Sequence, residues 1–196
     1  EFFDEDKYLH NSSVSENLTF GTANQEALAD ENLSRNDYFL KFISDADLAR
    51  PLMTLGVELG RQTVDILGGL PPDKVFFEQS PIKPEELEDY TKLVDRLKKQ
   101  KLHQLSEADQ KMLLNLALRF IPAKHKVVSL PLILENLILE GRSLFKEKIL
   151  REHPDAISFF QQSEYMFSQT ILNNILFGKT KTGRPEAQEK INQSII

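Results

Sequence analysis

The sequence predicts a mainly α fold: a helical subdomain or bundle with a few short strands. Three observations lead there. Apolar residues recur at helical spacing over long stretches, with Leu87, Tyr90, Val94 and Leu97 the plainest stripe. Capping residues and prolines stand where helices should begin, and glycines where they should end. Runs rich in β-formers are short.

Taken in order, Tyr8 to Gly21 is a loop and a helix capped by Ser13, ending at the glycine, and residues 25–33 can hold a short helix. Asn36 or Asp37 can cap a segment containing Tyr38, Phe39, Phe42 and Ile43; Ser44 or Asp45 can cap the next, from Ala46 towards Leu67, with Pro51 tolerated early in it. Gly68-Gly69, followed by Pro71-Pro72, should stop that helix. KVFFEQ at 74–79 reads as a short strand or extended connector. Pro81 and Pro84 open the helix that carries the stripe above, with acids in its first turns and Arg96, Lys98 and Lys99 in its last, as the macrodipole favours. Ser106 caps a helix to about Ile121 whose apolar face is Leu113, Leu116, Ala117 and Phe120. Residues 124–130 can form a short strand. From Pro131 a long helix runs to about Glu152, with Leu134, Leu137, Ile138, Leu144, Phe145 and Ile149 inward and Gly141 its weak point. A strand follows at 156–162, then, after residue 178, a basic loop and a helix from Pro185 still under way at Ile196, so the sequence is expected to be a piece of a larger protein.

At 196 residues, 40% hydrophobic and 28% charged, the chain can bury a core as one domain or two small ones. A formal charge of −6 argues against a nucleic-acid partner, which needs a basic face. Cysteine is absent, which removes disulfides, thiolate metal sites and cysteine nucleophiles and suits a reducing cytosol. The apolar runs 112–121 and 130–139 are interrupted by Asn115, Glu135 and Asn136 and fall short of the roughly 20 residues a membrane-spanning helix needs. The acidic opening EFFDEDKY is no secretory signal.

One stretch occurs twice. YLHNSSVSENLTFG from Tyr8 to Gly21 returns without a gap, 157 residues later, as YMFSQTILNNILFG from Tyr165 to Gly178. Tyr, Asn, Phe and Gly recur as Tyr8/Tyr165, Asn17/Asn174, Phe20/Phe177 and Gly21/Gly178, with conservative pairs between them, so the two copies should share one backbone course. The second copy follows AISFFQQ at 156–162, which places Gln162 three residues before Tyr165; in the first copy Glu5 stands there. This pattern resembles the segment after the Q-loop of ATP-binding cassette (ABC) ATPases of the exporter type, where a strand, a glutamine and a phrase ending in Asn-Ile-x-Phe-Gly lead into the helical subdomain.

Other motifs are weaker. Leu105-Ser106-Glu107-Ala108-Asp109-Gln110 is similar to the ABC signature, but Glu107 and Ala108 replace its glycines, and the plain reading is a capped helix with Asp109 in the box position. LFGKT at 176–180 is not a Walker A, since Asn173 stands where the first glycine belongs and a helix, not a strand, should precede it. No Walker B acid follows an apolar run. His10, His103, His125 and His153 lack ligand spacing and read as surface histidines.

The resemblance implies a division at 1–154, a degenerate helical subdomain or insertion opening on a Q-loop-like segment, and 155–196, the second Q-loop segment and the start of a helical subdomain. It implies a cytoplasmic ATPase at the inner face of the membrane, working with a transmembrane partner and the rest of its nucleotide-binding domain. There Gln162 would sense Mg-nucleotide, and Tyr165, Met166, Phe167, Asn174 and Phe177 would face the partner. ATP and Mg would belong to the parent protein; the chain alone lacks the phosphate cradle and its lysine, and no cofactor, catalytic residue or metal ligand is expected in it. The alternative is a helical interaction or regulatory module with no nucleotide role.

Overall fold

Side-chain caps set several helix starts. In the computed structural model, which describes residues 3–70, 74–161, 174 and 177, Ser13 opens α1 (Val14–Thr19) with a complete capping box: its Oγ accepts from the Glu16 amide at 3.1 Å, and the Glu16 carboxylate accepts from the Ser13 amide at 2.8 Å. Asn36 Oδ1 accepts from the Phe39 amide to open α3 (Asp37–Asp45), and Ser106 does the same for Asp109 at α7 (Glu107–Leu118). Pro131 precedes α9 (Leu132–Glu152).

Elsewhere local geometry overrides the sequence pattern. The helix after α3 starts at α4 (Ala49–Gly68), not at Ala46, and has no side-chain cap. Asp47 takes a left-handed φ of 55°, which breaks the chain between the two helices and leaves Pro51 in the first turn of α4, where its missing amide costs nothing. Residues 25–33 divide into a 3-10 turn (Glu26–Leu28) and α2 (Asp30–Leu33), because Ala29 between them is extended. The stretch 74–79 is not extended: α5 (Lys74–Phe77) is a single helical turn, since a strand needs a neighbour to pair with and a helical turn satisfies its own backbone. Residues 124–130 likewise form no strand. Pro122 opens α8 (Pro122–His125), and Lys126 at φ 50° ends it. Ahead of Pro122, Ile121 is extended, as a residue before proline should be, so α7 stops at Leu118. A 3-10 turn at Pro84–Glu86 leads into α6 (Leu87–Leu97), which buries Tyr90, Leu93, Val94 and Leu97.

The core lies between α4 and the pair α6 and α7, and between α1 and α9. α4 and α7 touch at Gly56, whose missing side chain lets the Leu113 backbone lie against it. α9 turns Leu134, Ile138, Gly141, Arg142, Phe145 and Ile149 inward. Leu144 is half exposed, against expectation, because it falls outside the 138, 142, 145, 149 stripe. Gly141 is a site of contact and no weak point: a Cβ there would lie 2.6 Å from Leu48 Cδ1 and 3.0 Å from Leu18 Cδ2. Phe145 packs edge-on to Phe39 and tilted to Phe42.

Two strands are present among the described residues. β1 (Gly21–Ala23) pairs antiparallel with β2 (Ile157–Phe159), Gly21 opposite Phe159 and Ala23 opposite Ile157. Helix α1 therefore does not end at the glycine. Phe20 is the left-handed cap, at φ 44°, and Gly21 begins the strand, where a Cβ would lie 2.6 Å from the Ser158 carbonyl oxygen. No helix among the described residues is long and apolar enough to cross a membrane.

Candidate functional site

The first repeat copy is built around Asn17. On α1 and fully buried, its Oδ1 accepts from the Leu9 amide at 2.8 Å, while its Nδ2 donates to the carbonyls of Leu9 and Ser13, each at 2.9 Å. One side chain thus ties the loop to the helix that follows it. The same Oδ1 accepts from Arg142 Nη2 at 3.0 Å, and the Asn17 carbonyl accepts from Arg142 Nε at 2.8 Å.

Arg142 reaches from α9 into this loop. Its Nη1 donates to the carbonyls of Glu5 at 2.6 Å, Lys7 at 3.2 Å and Asp4 at 3.3 Å, and its guanidinium lies 4.2 Å over the Phe20 ring. Only 3% exposed and with no carboxylate hydrogen-bonded to it among the described residues, the guanidinium is met by carbonyl dipoles and the Asn17 side chain. Burial pushes its pKa down to about 10, against the opposing pull of Tyr8, Glu5, Asp4 and Asp6, so it stays cationic at neutral pH. Sequence reading passes over Arg142, yet a signal is there: it takes the i+4 place in the inward run 138, 142, 145, 149, where an arginine must have a buried partner.

In the acidic patch around Glu5, two of the three carboxylates pair with lysines. Lys7 Nζ lies 2.8 Å from Asp4, holding that carboxyl below its ordinary range, and Lys146 Nζ lies 3.3 Å from Glu5. The carbonyls of Asp4, Glu5 and Lys7 and the carboxylates of Asp4 and Glu5 are thus committed to cations of the protein itself.

Of the second copy, Gln162, Tyr165, Met166 and Phe167 lie outside the described residues, and Asn174 and Phe177 lie within them. Asn174 is helical, as Asn17 is, and Phe177 takes φ 41°, beside 44° at Phe20. The strand that leads to position 162 is β2, held on β1 and extended by one bond from the Phe160 amide to the Phe20 carbonyl at 3.0 Å.

The signature-like segment is spent on its own helix start. Ser106 Oγ accepts from the Asp109 amide, and Gln110 Nε2 donates to the Leu105 carbonyl. Asp109 does not complete a capping box; its carboxylate takes both a 3.0 Å bond from Arg96 Nε and a 2.6 Å bond from Arg96 Nη2. His10, His103 and His153 are exposed, but His125 is buried and not a surface residue: its Nδ1 accepts from the Ile121 amide at 3.0 Å. No group of three or more potential metal ligands is present among the described residues. Against protein-family models, curated proteins and solved structures, the chain finds no match.

Proposed function

We propose that this chain is the helical, Q-loop-bearing part of an ABC-type transporter ATPase subunit, coupling ATP binding to a transmembrane partner and inactive by itself. The observation that carries the reading is the repeated phrase itself, Gln162 followed by Tyr165 to Gly178, with its first copy folded as a strapped loop, a capped helix and a left-handed phenylalanine. Gln162 would sense Mg-nucleotide held by the rest of the nucleotide-binding domain, at the cytoplasmic face of the membrane. Tyr165, Met166, Phe167, Asn174 and Phe177 would meet the transmembrane domain. The first copy serves as a fixed frame, because Arg142 occupies its loop carbonyls and Lys146 its glutamate. A loop so bound cannot answer a nucleotide, whereas a glutamine amide can offer oxygen to magnesium and a proton to water.

A helical interaction module is the second reading, favoured by Leu132 and Ile133 at the start of α9, which are 71% and 73% exposed. Mutagenesis of the full-length protein separates the two. Gln162→Ala should lower kcat for ATP about tenfold or more, near 1.4 kcal/mol in the barrier, while Glu5→Ala changes it little. A parent without ATPase activity ends the first reading, and a larger loss from Glu5→Ala reverses the roles of the copies.

A further inference from the structure

Phe3 and Phe160 stand at the same place ahead of the two copies, five residues before Tyr8 and Tyr165, and Phe20 and Phe177 at the same place near their ends. These four rings meet in one cluster. Phe3 stacks on Phe160, centroids 3.9 Å apart and planes at 13°. Phe20 meets Phe160 edge-on at 5.5 Å and 75°, and Phe177 meets Phe3 edge-on at 5.4 Å and 88°. The backbone repeats the exchange: the Phe160 amide donates to the Phe20 carbonyl at 3.0 Å, and the Phe3 amide donates to the Phe177 carbonyl at 2.9 Å.

We infer that the two repeats bind each other across an approximate local twofold axis through the Phe3–Phe160 stack, Phe20 of the first copy docking the Phe160 that precedes the second and Phe177 of the second docking the Phe3 that precedes the first. Exchanging the copies maps the stack onto itself, turns the Phe20–Phe160 contact into Phe177–Phe3, and turns each cross-copy hydrogen bond into the other. Ring distances, ring angles, hydrogen bonds and backbone dihedrals are separate quantities, and the stack, the two edge-on contacts onto it, the two hydrogen bonds and the two left-handed phenylalanines return their partners under this operation; the longer Phe3–Phe20 edge contact, at 6.3 Å and 83°, has no Phe160–Phe177 counterpart among the described residues, so the symmetry is approximate. The arrangement also accounts for two phenylalanines in left-handed backbone, at φ 44° and 41°, a conformation that favours glycine. At Phe20 such a turn swings the carbonyl off the end of α1 and towards the incoming strand. At Phe20 that carbonyl continues the β1–β2 ladder by one rung. The Phe20 carbonyl thus takes the Phe160 amide at the end of β2, the Phe177 carbonyl takes the Phe3 amide, and in each case the occupant belongs to the other repeat of the same chain. None of this rests on a nucleotide role.

The absence of cysteine makes the test clean. In the full chain, Phe20→Cys with Phe160→Cys, and separately Phe3→Cys with Phe177→Cys, should each close an intramolecular disulfide on mild oxidation, at rates alike within about tenfold, since both pairs sit across the same kind of rung. Hydrogen exchange on the unsubstituted chain covers the case in which a variant fails to fold: the Phe3 and Phe160 amides should both exchange at least about tenfold more slowly than in unstructured chain. Protection at Phe160 without protection at Phe3 overturns the twofold, as does closure of the 20/160 pair alone. A covalent product of twice the chain's mass overturns the pairing within one chain.

Discussion

His125 and Arg142 are both buried bases, and they meet burial in opposite ways. Arg142 keeps its charge by facing carbonyl oxygens. His125 gives its charge up: burial first, then the positive charges of Lys124 and Arg119, push its pKa from the ordinary 6.5 down to about 4, and the neutral ring accepts the Ile121 amide. The unfolded chain takes up a proton between those two values that the folded chain refuses. Stability from this site is thus complete above about pH 6.5 and falls as the pH is lowered towards 4, by on the order of 2 kcal/mol. His125→Asn keeps an acceptor for the Ile121 amide and cannot titrate, so urea unfolding at pH 7 and pH 4.5 should show a smaller acid loss in the variant; an equal loss in both would place the acid sensitivity elsewhere.

Two glycines one turn apart on α4 divide the labour of an element. At Gly56 a Cβ would stand 2.8 Å from the Leu113 carbonyl carbon and 3.0 Å from its Cα, backbone atoms of a packed helix that cannot step aside. At Gly60 the nearest atoms are Leu116 Cδ2 at 3.7 Å and Val94 Cγ2 at 3.8 Å, ordinary contact distances. Gly56→Ala should therefore cost about 2 kcal/mol or more by forcing α4 and α7 apart. Gly60→Ala fills open contact and adds helix propensity, so it should be neutral or gain up to about 1 kcal/mol. Denaturant midpoints of the two variants decide the matter: similar losses at both positions would mean that Gly56 is not the point of closest approach.

At the scale of the molecule, residues 21–23 pair with residues 157–159, so the helices between them are enclosed by a closure of low local content and long sequence separation. The closure brings the strand that leads to Gln162 onto the first copy. On the reading proposed above, a nucleotide would be held by the rest of the nucleotide-binding domain, since the sequence carries no Walker A loop with its lysine and no Walker B acid. Calorimetry of the chain with Mg-ATP should accordingly show no saturable binding tighter than about 10 μM, some −7 kcal/mol. A tighter constant would mean that a phosphate site has been built from residues without the motif.

Caps and stripes were legible in the sequence because they are local. Ser13, Asn36 and Ser106 act on amides within three residues, and the Leu87 to Leu97 stripe needs only helical geometry. The recurrence of Asn17 and Phe20 as Asn174 and Phe177 was equally legible, as identity at a fixed offset. Only tertiary structure decided the rest. Residues 74–77 and 122–125 became helical turns, with no strand among the described residues beside them, whereas Gly21–Ala23 became a strand because it lies against Ile157–Phe159. Gly141 and Gly56 proved to be contacts, and Arg142 a clamp, because what each one touches lies far away in the chain. Periodicity states which face of a helix is buried, but the neighbour on that face, and so the reason for each small or charged residue within it, is set by packing between distant segments.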